Sequence, residues 1–132
     1  MKGFTLIELL IVLAVITAII SALVPLGVNV IRHARALTVA FNLSEISKAA
    51  MSNFYLDHNT SISIDSIKSY FSQHEELKDY QIKSSLASTL EHVYIWYTGN
   101  DITASQVEKV FPDVEATQGN KPMISIELRK YW

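Results

Sequence analysis

Apolar residues follow two rhythms along this chain. From Leu9 to Ile31 they run without a single charged side chain. As an α-helix rising about 1.5 Å per residue, that run is long enough to cross a hydrocarbon core of about 30 Å. Past Arg32, His33 and Arg35 the rhythm changes. Val39, Leu43, Ile46, Ala50 and Phe54 recur at spacings of three and four, with Asn42, Ser44, Glu45 and Lys48 elsewhere. That stripe predicts a helix that continues amphipathically and covers a small sheet. Turn-forming Asp57-His58-Asn59-Thr60 ends the pattern. The expectation is one helix from about Thr5 to Leu56, with an apolar half over 4–31 and an amphipathic half over 32–56. Such length is unusual inside a globular domain.

The remainder, 57–132, reads as a head of short helices and antiparallel strands. Ile64, Ile67 and Phe71 predict a short helix beginning near Asp65. Tyr80-Gln81-Ile82 suggests a strand, and His92 to Tyr97, β-branched and aromatic, a second one entering a turn at Gly99-Asn100-Asp101. Ser105 with Glu108 has capping-box spacing, and Val107, Val110 and Phe111 make one helical face before Pro112 stops it. Ile124, Ile126 and Leu128 then alternate with Ser125, Glu127 and Arg129, as in a sheet with one face covered. The fold class is therefore α+β: a long N-terminal α-helix packed by its C-terminal half on a small antiparallel β-sheet.

Composition narrows the function classes. With 132 residues the chain holds one small domain beyond the apolar run. Eleven Lys and Arg stand against thirteen Asp and Glu, and no basic field points to nucleic acid or anionic lipid. The absence of cysteine excludes disulfides, thiol chemistry and Cys-ligated zinc. The four histidines, His33, His58, His74 and His92, are scattered and read as surface groups. His74-Glu75-Glu76 resembles the start of a zinc-protease helix, but Lys78 occupies the place of the second histidine. Four glycines make no phosphate-cradling loop. Asp101, Asp113 and Glu115 form no cation-loop pattern. The reading assigns no catalytic residue, no metal and no cofactor.

Glu8 is the residue that composition leaves unexplained. An acid at the mouth of a membrane-length run costs several kcal/mol unless paired or hydrated, so its partner must be sought. A secretory signal peptide explains it poorly: Ala34-Arg35-Ala36 fits a cleavage site, but the run before it is too long. A plain membrane anchor explains the length and gives Glu8 no purpose. Gly3-Phe4-Thr5-Leu6-Ile7-Glu8-Leu9-Leu10-Ile11-Val12 resembles the processing site of type IV pilins and the related pseudopilins. Pro25 also falls where that family carries a helix-kinking proline. The resemblance implies a leader, 1–3, removed by prepilin peptidase after Gly3, and N-methylation of the new N-terminal Phe4.

Cleavage would create an ammonium at Phe4, and an apolar setting strengthens its attraction to the Glu8 carboxylate. Within one helix the two groups are four residues apart, and the helix N-terminus itself favours an acid. The resemblance implies instead that Glu8 meets the amine of a neighbouring subunit and sets the stagger of a growing filament. Glycine at position 3 suits an extended backbone in a protease cleft. Pro25 lacks an N–H and crowds the Ser21 carbonyl, and Gly27 lowers helicity further, so a kink or melted turn is expected there. Thr17 and Ser21 can bond back to the helix backbone. Thr17 stands where many pilins have glycine.

The resemblance further implies that the chain polymerises with copies of itself, served by an inner-membrane assembly platform and minor pilins. Its place would be the inner membrane as a single-pass protein, then an extracellular or periplasmic filament. Arg32 and Arg35 against Lys2 and the initiating amine would weakly favour a cytoplasmic head; the family implies the reverse, and the motif is the more specific signal. Surface pilus, secretion pseudopilus and competence pilus share this N-terminus. The more distant alternative is an anchored binding or enzymatic domain that never polymerises. Tyr94, Trp96, Tyr97, Tyr131 and Trp132 admit two readings, core and sheet-edge packing or an exposed contact surface.

Overall fold

The computed structural model describes residues 3–71, 77–87 and 89–132. Met1 and Lys2 of the expected leader, and the His74-Glu75-Glu76 pattern, lie outside the described residues. Helix α1 spans Leu6–Leu56, and contacts divide the chain into two units, Met1–Ala34 and Arg35–Trp132.

In the first unit every large apolar side chain from Leu6 to Ile31 is exposed. The helix is long and apolar enough to cross a membrane. Thr17 Oγ1 donates to the Leu13 carbonyl at 2.7 Å and Ser21 Oγ to the Thr17 carbonyl at 2.8 Å, so both hydroxyls bond back to the helix. The helix is continuous through Pro25 and Gly27, with no melted turn. Proline deletes one bond of the ladder, and the bonds before and after it keep the turn closed.

The second unit builds its core on the amphipathic stretch of α1. Val39, Leu43, Ile46, Ala50 and Phe54 are all buried, joined by Ala36, Ala40 and Ala49 on the same side. Among the described residues two short helices and four strands complete it: α2 (Ile64–Ile67), β1 (Tyr80–Ala87), β2 (Leu90–Tyr97), α3 (Ala104–Glu108), β3 (Glu115–Ala116) and β4 (Pro122–Arg129). A 3₁₀ turn, Lys68–Tyr70, follows α2. The sheet order is β1-β2-β4-β3 with every pairing antiparallel. Ile82 and Ile124 flank Ile95, and Ser84 and Ile126 flank Val93, in register. Val93, Ile95, Tyr97, Ile124 and Leu128 thus join the α1 stripe in one core. Burying each large aliphatic side chain there contributes about 1.5–3 kcal/mol.

The ends of α1 and α2 are tied by polar groups. Asn53 Nδ2 donates to Asp57 Oδ2 at 3.2 Å and to the Ser66 carbonyl at 3.3 Å, and the Tyr70 hydroxyl donates to Asp57 Oδ2 at 2.7 Å. Ser63 caps α2 in a reciprocal box with Ser66. The capping box expected at Ser105 and Glu108 sits two residues earlier. Thr103 caps α3, and its N–H donates to Gln106 Oε1 at 2.9 Å. The start is set by Ala104, which is buried while its N–H donates to the Asn120 carbonyl at 2.9 Å. Helical spacing from Ala104 then brings Val107 into the core and leaves Ser105 and Glu108 in solvent.

The aromatic set divides between the two readings. Tyr97 is buried and its ring lies 5.3 Å from Tyr80. Tyr94 and Trp96 alternate onto the opposite face of β2 and are half-buried. Tyr131 is exposed, and Trp132 packs on Phe54 and His58 at ring distances of 4.9 and 4.5 Å.

A three-residue network closes the Tyr97 end of the sheet. The Tyr97 hydroxyl donates to Asp101 Oδ1 at 2.6 Å, and Arg35 Nε donates to Asp101 Oδ2 at 3.0 Å. Gly99 leaves room for it, since a Cβ there would collide with the Tyr97 ring. The Tyr97 hydrogen bond, then that of Arg35, holds the Asp101 carboxyl below the ordinary carboxylate range. A group depressed in the folded state contributes stability that is lost as pH falls through its folded value. Asp101→Asn is therefore expected to give a lower neutral melting temperature and a shallower acid decline, read by circular dichroism melts across pH. The ion pair is half exposed, so its charge contribution stays below about 1 kcal/mol. An unchanged acid decline in the variant counts against this role.

Candidate processing and assembly site

The start of α1 carries the residues that the sequence singles out. Gly3, Phe4 and Thr5 precede the helix in non-helical conformation, and Phe4 is 88% exposed. Thr5 is the N-cap. Its N–H donates to Glu8 Oε2 at 2.8 Å, and the Glu8 N–H donates to Thr5 Oγ1 at 3.3 Å. Leu9 N–H then donates to the Thr5 carbonyl at 3.2 Å, the first helical bond. Each residue satisfies a backbone donor that the helix start would otherwise leave open.

Glu8 therefore has a local partner in the Thr5 N–H. Thr and Glu at capping-box spacing directly before an apolar run are the sequence signal for this cap, a partner other than the Phe4 amine that the motif implies. Among the described residues the Glu8 carboxylate is engaged through Oε2, by the Thr5 N–H. The acid also sits at the helix N-terminus, where the aligned peptide dipoles favour negative charge. Chemically the arrangement presents an exposed Gly3-Phe4 segment directly before a carboxylate at a helix N-terminus. Nothing in it resembles a nucleophile and base in hydrogen-bonding reach.

Elsewhere the candidate chemistry stays dispersed. Asp101 is engaged by Tyr97 and Arg35, and among the described residues no three His, Asp or Glu side chains are grouped to hold a metal. His33 and His58 are exposed, and His92 lies 3.6 Å from Glu127.

No curated protein and no solved structure matches the chain. One family model does, the one described as Prokaryotic N-terminal methylation motif, over residues 1–24. The capped helix start with Glu8 at its centre thus carries the type IV pilin, prepilin-type signature.

Proposed function

We propose that this chain is a structural subunit of a type IV pilus or a related filament. The observation that carries the reading is the methylation motif on the start of an exposed apolar helical stretch whose acid, Glu8, caps its first turn. The motif supports a pilin- or pseudopilin-like precursor, and with the apolar helix it fits an inner-membrane anchor. It implies processing by prepilin peptidase and assembly into filaments, and it points to a structural subunit and not to an enzyme.

In the proposed pathway residues 1–3 are removed, Phe4 becomes the methylated N-terminus, and 4–31 passes from bilayer to filament core. The stretch 32–56 carries the head, 57–132, on the far side of the membrane from the cytoplasm. Glu8 exchanges or shares its Thr5 contact with the Phe4 amine of a neighbour. Pro25 and Gly27 serve as the weak point where the helix bends or yields during that transfer.

Processing gives the direct test. Gly3→Val places a β-branched side chain beside the scissile bond, where an extended, unencumbered backbone is needed. The variant is expected to accumulate in the membrane with its first three residues attached, whereas the parent chain begins at N-methyl-Phe4. Intact-mass measurement of the membrane-extracted protein distinguishes the two. A mature, methylated Phe4 in the variant would overturn the role of Gly3, and an unprocessed parent chain would overturn the precursor reading.

A further inference from the structure

Glu91 is the one fully buried acid among the described residues, with no accessible surface. It stands on the core face of β2 with Val93, Ile95 and Tyr97, paired in register with Leu86 on β1 and Leu128 on β4. Among the described residues neither of its carboxylate oxygens has a hydrogen-bond partner of good geometry. A charge in such a place is far costlier than a proton. Burial accordingly pushes the Glu91 carboxyl above its ordinary range, an effect only partly offset by the Ser84 hydroxyl and the Ile62 backbone.

Among the described residues no charged side chain reverses that preference. On the strands, Lys83, His92, Glu127 and Arg129 alternate onto the opposite face of the sheet, and Lys130, two residues past Leu128, holds its ammonium 5.8 Å from the centroid of the Trp132 ring. On α1, Glu45 pairs with Lys48, and just past the end of that helix Asp57 is held by Tyr70 and Asn53. In α2, Asp65 pairs with Lys68 just beyond it.

The position of Glu91 decides what ionisation would do. It lies one residue into β2, beside the hairpin end where Ala87 pairs with Leu90 and the Lys130 N–H donates to the Thr89 carbonyl at 2.8 Å. The other end of β2 is held by the Tyr97–Asp101–Arg35 network and by Thr98, whose N–H donates to the Asp79 carbonyl at 2.7 Å. The far end carries these bonds in addition to its ladder, so opening the hairpin end costs less. We infer that Glu91 is a proton-held latch: its neutral acid keeps the hairpin end of the sheet closed, and loss of that proton opens this end to water. The closed head binds the proton more tightly than the open one. Closure is therefore strongest at acid pH and weakens as pH rises from the ordinary glutamate range through the raised native value, levelling above it. The inference concerns the head alone and does not depend on filament assembly.

The test uses the full-length chain in detergent micelles. Carbon-13 NMR of the side-chain carboxyls follows the Glu91 proton directly, and hydrogen exchange at residues 90–93 and 126–129 follows opening. After correction for intrinsic exchange chemistry, opening is expected to rise about tenfold per pH unit in the linked range, one proton per event. Glu91→Gln and Glu91→Met are expected to remove that dependence while exchange at Ile95 and Tyr97 keeps the parental pH profile. The carboxyl titration needs no variant, so a misfolded substitution does not blunt it. A Glu91 carboxyl that titrates in the ordinary range, or a pH dependence shared by parent and both variants, overturns the latch.

Discussion

Glu8→Ala is expected to insert into the membrane as the parent chain does and to form almost no filament. Insertion depends on the apolar run from Leu9 to Ile31, which the substitution leaves intact. Assembly, in the proposed mechanism, buries a Phe4 ammonium among apolar helices, and without Glu8 that charge has no partner. Removing one member of a buried pair costs about 3–5 kcal/mol. That loss corresponds to more than about a hundredfold in an assembly equilibrium, at about 1.4 kcal/mol per tenfold.

Two roles of Glu8 can be separated because the structure shows one of them. The side chain accepts a hydrogen bond from the Thr5 N–H, and a glutamine can occupy the same place in a capping box. Glu8→Gln therefore keeps the helix start and loses the charge. If charge pairing sets the filament register, Gln fails in assembly nearly as badly as Ala. Filaments sheared from cells, quantified against subunit in the membrane fraction, give the measurement. Normal filament yield from Glu8→Gln would sink the pairing idea and leave Glu8 as a helix cap.

Phe54→Ala is expected to be the most damaging single change in the head. Phe54 is fully buried at the C-terminal end of α1, with Trp132 at a ring distance of 4.9 Å and Tyr55 edge-on at 5.1 Å. Truncation removes most of a large apolar side chain and leaves a cavity where the last turn of α1 meets Trp132. The expected cost is about 3–5 kcal/mol, a large share of the roughly 5–15 kcal/mol that stabilises a domain. Urea unfolding followed by tryptophan fluorescence reports it, with the midpoint falling and the slope unchanged. A loss below about 1 kcal/mol would show that the site collapses or that Phe54 is not held as the core shows.

The long helix was legible because its signals are local and repeated. An uncharged run followed by a stripe at helical spacing leaves few alternatives, and the observed span, Leu6–Leu56, starts one residue after the expected one. The alternation of Ile124, Ile126 and Leu128 likewise marked β4. In β1 only Tyr80-Gln81-Ile82 carried a signal, since Lys83-Ser84-Ser85 offers no apolar rhythm; pairing with the whole of β2 extends the strand to Ala87. The two-residue β3 had no pattern to find and exists through its bonds to Pro122 and Met123. At the processing site Gly3, Phe4 and Glu8 were visible through their motif, whereas Thr5 was not recognised as the partner that completes the helix start.

β2 shows where local reasoning stops. Both of its faces carry large side chains, Val93, Ile95 and Tyr97 on one and His92, Tyr94 and Trp96 on the other. The strand by itself does not choose between them. Register with Ile124, Ile126 and Leu128 turns the first set toward α1, and Glu91, which shares that face, is carried inside with it. Arg35, Tyr97 and Asp101 meet for the same kind of reason, across 66 residues of chain between Arg35 and Asp101. By itself the sequence determined a membrane-length helix with a prepilin-type opening and an amphipathic continuation over a small sheet. Periodicity and motif act over neighbouring residues, and they suffice for that. Which face of β2 lies inward, which acid loses its water and which residues lock the end of the sheet were decided only by tertiary packing, because desolvation and pairing depend on groups far apart in the chain.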